Sequence, residues 1–164
     1  MGALPAILTV LATVVVMEAG AWATHRYVMH GWGWGWHRSH HEPHTSAFEL
    51  NDLYAVLFGA IAVVVFSCAS TLWPPLFWIA VGMSVYGVLY GLVHDGLVHQ
   101  RWPFRHTARH PYLKRLVQAH RLHHAVDGKD NCVSFGFLYA PPIRDLKREL
   151  TRLHPDGVGQ RRSR

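Results

Sequence analysis

From Leu53 to Val93 the chain carries no Asp, Glu, Lys or Arg, and from Met1 to Thr24 it carries only Glu18. Nothing else in the sequence restricts the fold as strongly. About 20 apolar helical residues cross the roughly 30 Å core of a bilayer, where only helices and closed barrels satisfy every backbone polar group. Three stretches qualify, at about 3–24, 53–72 and 75–93. Trp73, Pro74 and Pro75 divide the last two as a tight uncharged turn. A cleaved signal peptide competes for the first stretch, because Ala19-Gly20-Ala21 resembles a small-residue cleavage site. The lack of a basic segment ahead of it argues against that reading.

The sixteen Lys and Arg are Arg26, Arg38 and fourteen residues from Arg101 to Arg164. Three spans put all of them on one side of the membrane, which the positive-inside rule makes cytoplasmic. The pI near 9.7 follows from that bias, and no nucleic-acid-binding module accompanies it, so no nucleic-acid partner is expected. Cys68 lies in an apolar run and Cys132 in the polar half, which gives no disulfide framework. The expected fold is an all-α integral membrane protein with about three transmembrane helices, a fourth being left open, and a cytoplasmic helical cap. It forms one domain over 1–164, with cytoplasmic segments 25–52 and 94–159 and a disordered tail at 160–164.

Several local features add detail. Gly31 to Trp36 reads GWGWGW, an interfacial aromatic belt at a chain bend, with substrate contact by Trp34 and Trp36 as a secondary role. Ser46 and Glu49 suggest a capping box, and Gly87 with Gly91 a face for close helix packing. Pro111 opens a helix whose stripe is Leu113, Leu116, Val117, His120, His123 and His124. The stretch 131–142 is apolar but too short to span, so it caps the core or lies at the interface.

Histidines carry the chemistry. His25 and His30 form HxxxxH, His37, His40 and His41 form HxxHH, and both patterns return as His94 with His99, then His120 with His123 and His124. On a helix HxxHH places three imidazoles on one face. In HxxxxH the pair stands about 140° apart at 3.6 residues per turn. Each such pair therefore serves two ions separately or sits on an irregular helix end. Ten imidazoles exceed the shell of one ion, so two ions are the natural count, of a metal that the ligands alone do not choose. A neutral shell calls for carboxylates behind it, and Glu42, Asp52, Asp95 and Asp127 are placed for that, with His44 as an extra ligand. Glu18, two turns before His25, and Tyr90, one turn before His94, are expected with Tyr86 beneath the metal site as substrate-lining groups. A two-histidine haem site would need isolated histidines deep in paired spans, and a metal carrier would need ligands at the midplane. Neither pattern is present.

The boxes HRYVMH, HRSHH, HDGLVH and HRLHH resemble those of the membrane-bound fatty acid hydroxylase superfamily. The longer strings HDGLVHQRWPFR and QAHRLHHAVDGKDNCVSFGFLYAPP are similar to the bacterial β-carotene hydroxylases within it, and the likeness runs from the first span to about Leu146. The resemblance implies a non-haem di-iron monooxygenase of the bacterial inner membrane. It implies two iron ions on the ten box histidines, with zinc able to replace iron in a purified sample. The substrates would be O2 and a carotenoid drawn from the bilayer: β-carotene would be hydroxylated at C3 of each ring, through β-cryptoxanthin to zeaxanthin, and ketolated carotenoids toward astaxanthin. Electrons would come from reduced ferredoxin and its ferredoxin reductase. The boxes alone are equally compatible with a hydroxylase or ketolase of another lipid.

Overall fold

Alanine, valine and leucine with no charge before Glu18 wind Ala3–Ala23 into α1. The computed structural model describes residues 1–43, 46, 48–69, 71–103 and 105–158. The expectations for His44 and for the tail 160–164 lie outside these residues. α1 runs on without a break into a π-wound segment, Thr24–Trp32, and Trp34–His41 forms the short α2. Then come α3, Asp52–Cys68, and α4, Leu76–Tyr90, which likewise continues as a π-wound segment, Gly91–Val98. α5 is Pro111–His123 and α6 is Ile143–Leu153.

Among the described residues, two helical runs are long and apolar enough to cross a membrane: Ala3–Trp32 with 30 residues and Leu76–Val98 with 23. α3, at 17 residues, is shorter than the expected 53–72. Its length of about 26 Å falls short of the hydrocarbon core. Leu4, Ile7, Leu8, Leu11, Val15 and Val16 of α1 are all more than half exposed, which suits contact with lipid. Thr9, Thr13, Ser67 and Ser84 each donate their hydroxyl to the carbonyl four residues back, so these hydroxyls are satisfied within their own helices.

α4 packs between α1 and α3. The close approach of α1 and α4 is at Gly82, where a Cβ would stand 2.6 Å from Thr13. Gly87 and Gly91, expected at such a contact, have open space where a Cβ would be. The capping box is also replaced. Glu49 and Ser46 precede the helix, and Asp52 at its first position accepts from the Glu49 amide at 3.0 Å.

At the histidine end, Leu116 and Ala119 of α5 form a core with Leu146 and Leu150 of α6 and with Val126, Cys132, Val133, Phe135 and Ala140 of the intervening loop. The stretch 131–142 therefore caps the core, as its composition suggested. Ser134, in the left-handed region at φ 61°, turns the chain between the carbonyls of Val133 and Phe135, both of which face histidines.

Candidate metal centre

His25 and His30 lie on one π-wound segment, and His94 lies on the other with His99 capping its end, which resolves the 140° difficulty. A bond from residue i to i+5 widens the turn, so side chains five apart come to one face. The His99 amide donates to the His94 carbonyl at 2.9 Å in this way. The winding ends at Gly31, whose non-helical backbone breaks the run before α2. Gly33 is required there because a Cβ would overlap the Tyr54 hydroxyl, which donates to the Gly33 carbonyl at 2.9 Å.

Four helical segments thus deliver their histidines to one place. His25, His30, His37, His41 and His123 form one group, and His40, His94, His99 and His120 a second, with ligand nitrogens within 4.8 Å of one another in each. His124 joins the second through its Nε2, 2.9 Å from that of His120, and its ring stacks 4.3 Å from His41 of the first. All ten box histidines are therefore in the centre, and His25, His37 and His123 are at most 2 % exposed.

The orientation of the rings is chemically specific. Among the described residues, six donate outward from Nδ1: His25 to the Phe135 carbonyl at 2.9 Å, His30 to Lys129 at 2.8 Å and His123 to Val133 at 3.0 Å. His37 donates to Asn51 Oδ1 at 2.7 Å, His40 to Glu49 Oε1 at 3.1 Å and His94 to Asp95 Oδ1 at 2.8 Å. A neutral imidazole that donates from Nδ1 presents a bare lone pair at Nε2. Those lone pairs then face one another at 3.1 Å in His25–His37, His30–His123 and His94–His40. Without a shared cation the pairs repel. Nitrogens bound about 2.1 Å from one ion stand about 3 Å apart along an edge of its shell. The donor set fits two metal ions.

Burial holds His37 down to about 3 and pushes His40, His120, His123 and His124 well below the ordinary imidazole range, the neighbouring rings adding to the effect for the last four. Neutral imidazole is the ligand form, so the fold prepares the site for metal. It also sets a sign for the metal-free protein. Below about 6.5 the unfolded histidines take up protons that the buried ones refuse, so stability falls as pH drops from there toward 3. Each histidine that stays neutral contributes up to about 1.4 kcal/mol per pH unit. Unfolding of the metal-free protein in detergent checks this, and a flat profile between pH 7 and 4 contradicts it.

The carboxylates behind the rings are only partly those expected. Asp95 holds His94. Asp52 is one step removed, in a paired contact with Arg101 at 2.7 Å. Glu42 forms a surface ion pair with Arg38, and Asp127 is exposed after α5 with no hydrogen bond to a histidine among the described residues. The groups not expected behind the rings are Glu49, read from the sequence only as a cap, Asn51, Arg101 and the carbonyls of Lys129, Val133 and Phe135. A histidine followed closely by Glu and Asn gave some signal for the first two; a backbone acceptor has none.

Beneath the centre lies an apolar cavity of about 390 Å³ between α1, α3 and α4. Tyr86 and Tyr90 line it, together with Met29, Tyr54, Phe66 and Phe137. Tyr90 stacks on His94 at 4.6 Å and Phe137 on His25 at 5.2 Å, so the cavity adjoins both histidine groups. Glu18 is not on its wall. One carboxylate oxygen accepts from the amides of Phe137, Leu138 and Tyr139 at 2.9–3.0 Å, and the other from the Tyr86 hydroxyl at 2.9 Å. Trp34 packs on His30 and His41, and Trp36 on Tyr54; neither indole reaches the cavity.

Apolar membrane-length helices ending in a cluster of buried imidazoles are the arrangement of a membrane protein with a histidine-rich site able to hold metal. Residues 10–140 match the model of the family described as Fatty acid hydroxylase, and the chain belongs to that family. It is 60% identical over 146 residues to a Beta-carotene hydroxylase of Paracoccus sp. (strain PC1), covering 88% of this chain and 90% of that one. It is 58% identical over 155 residues to the Beta-carotene hydroxylase of Pantoea ananas, covering 94% and 89%. Beta-carotene 3-hydroxylase 1, chloroplastic, of Arabidopsis thaliana is 38% identical over 153 residues, which are 87% of this chain and 49% of that protein. No solved structure matches the chain.

Proposed function

We propose that the chain is a di-iron monooxygenase that hydroxylates C3 of the β-ionone rings of β-carotene, through β-cryptoxanthin to zeaxanthin. The observation that carries the reading is the apolar cavity that opens against both histidine groups through Tyr90 and Phe137. The curated relatives named for this reaction are 58–60% identical over most of both chains. For each ring, the C–H bond, O2, two electrons and two protons become C–OH and water. Two bound iron ions would supply the O2 activation that an unactivated C–H bond demands. His25, His30, His37, His41 and His123 would hold one, and His40, His94, His99, His120 and His124 the other. The chain's own part is to keep those imidazoles neutral and aimed, and to exclude water with Met29, Phe137 and the tyrosine rings. One ring enters the cavity while the polyene stays in the bilayer. Electrons come from reduced ferredoxin, docked on the basic histidine side, which the positive-inside rule assigns to the cytoplasmic face of the inner membrane.

Production of zeaxanthin in β-carotene-accumulating cells tests the reaction, and its absence with iron and reductant present overturns it. The cavity has its own test. Gly87 lines the cavity, and a Cβ there meets nothing within 4 Å. Gly87→Phe should therefore fold and keep its metal while its ring occupies the substrate's place. The expected loss of turnover is about 100-fold, the scale of a misplaced substrate. Unchanged turnover would place the substrate elsewhere.

A further inference from the structure

The two histidine groups are backed by different chemistry. In the first, His25, His30 and His123 donate to carbonyls and His37 to an amide oxygen, all neutral acceptors. Asp130 on that side is exposed and screened by water. In the second, His40 and His94 donate to the carboxylates of Glu49 and Asp95, and the Glu49 side chain is 1% exposed. Arg101 ties this side together, 3.0 Å from Glu49, 2.7 Å from Asp52 and 3.5 Å from Asp95. Three carboxylates around one guanidinium leave the cluster net negative.

We infer that the two metal positions are unequal in affinity, and that the His40–His94–His99–His120 position, backed by Glu49 and Asp95, fills first. The inference rests on the dimetal reading proposed above. A carboxylate that accepts from Nδ1 draws the proton toward itself and makes Nε2 a stronger donor, and its charge attracts the cation through a poorly solvated medium. A carbonyl orients the ring as well but adds no charge. Arg101 is a positioning residue in this scheme: it holds Glu49 and Asp95 in the rotamers that meet His40 and His94, and the third carboxylate, Asp52, offsets its charge.

The test is titration of the metal-free full-length protein in detergent with Zn²⁺ alone and with Co²⁺ alone, against a competing chromophoric chelator. Two ions should bind in steps at least about tenfold apart. Glu49→Gln should weaken the tight step by about 10–100-fold, the usual cost of losing a group behind a ligand, and leave the loose step unchanged. Asn51→Asp, which puts a carboxylate behind His37 at nearly the same volume, should tighten the loose step. The second variant decides the matter if Glu49→Gln does not fold. Equal steps in the unaltered protein, weakening of both steps alike by Glu49→Gln, or no tightening by Asn51→Asp would overturn the inference. Binding of fewer than two ions would instead overturn the dimetal reading itself.

Discussion

His123→Ala is expected to abolish hydroxylation and to leave the purified protein about one metal ion short. His123 is fully buried, with Nδ1 held 3.0 Å from the Val133 carbonyl and Nε2 3.1 Å from that of His30. Its ring also lies 4.5 Å from His25 and 5.0 Å from His41, so it stands at the middle of the first group. Changes behind a ligand cost about 10–100-fold in metal affinity or activity, and removal of the ligand itself should exceed that range. Burial of a neutral ring makes a second, opposite effect measurable. With one fewer histidine to resist protonation, the metal-free variant should lose less stability on acidification than the unaltered protein. His106→Ala, at an exposed histidine outside the centre, should retain both ions and turnover. Metal analysis and product formation on the same samples check the first and last of these statements, and unfolding of the metal-free variant against pH checks the second. Full activity with two ions in His123→Ala would take it off the list of ligands.

The sequence disclosed the histidines of the cluster more completely than it disclosed what holds them. HxxHH is legible because the spacing alone puts the three rings on one face, as on α2 and α5. HxxxxH left two solutions open, and the π winding of Thr24–Trp32 and Gly91–Val98 chose the one in which both members of a pair serve one group. Nothing in residue type announces that winding. The carbonyls of Lys129, Val133 and Phe135 were illegible for a related reason: any residue has a carbonyl, and its direction depends on turns such as the one at Ser134. Asp127 shows the converse error, since a carboxylate three residues after a histidine box is near in sequence yet turned to solvent. The hydropathy pattern gave α1 and α4 well, but it overran α3, because the uncharged residues 69, 71 and 72 belong to the turn before Pro75. The stripe Ile143, Leu146, Leu150 and Leu153 marks α6 as amphipathic by spacing alone, but its partner on α5 is set only by packing.

Glu18→Ala should destabilise the protein by about 3 kcal/mol and empty one metal position, acting through the loop over the histidines and not through a lost contact of its own with the cavity. A carboxylate in an apolar helix invites a substrate or proton-relay reading, but its geometry is that of a tie between α1 and the loop over the histidines. The alanine variant deprives the amides of Phe137, Leu138 and Tyr139 and the hydroxyl of Tyr86 of their acceptor. Unmet donors cost about 1–3 kcal/mol each when buried, and the exposed position of Tyr139 keeps the total near the low end of the sum. The loop cannot relax harmlessly. Gly136 is packed so closely that a Cβ would collide with the Tyr139 carbonyl, and Tyr112 donates its hydroxyl to the Leu138 carbonyl on the same turn. Upstream in that loop are the carbonyls that aim His30, His123 and His25, so loosening it should weaken the first histidine group. His40 and His94, fixed by Glu49 and Asp95 on separate segments, should keep their ion. Glu18→Gln supplies the control, because its amide oxygen can still accept from the three backbone donors and Tyr86 can turn to accept from its amide nitrogen. The glutamine variant should therefore recover most of the stability and the second ion. Thermal unfolding in detergent and metal stoichiometry measure both. An alanine variant with normal stability and two ions but an altered ratio of singly to doubly hydroxylated product would return Glu18 to the substrate wall.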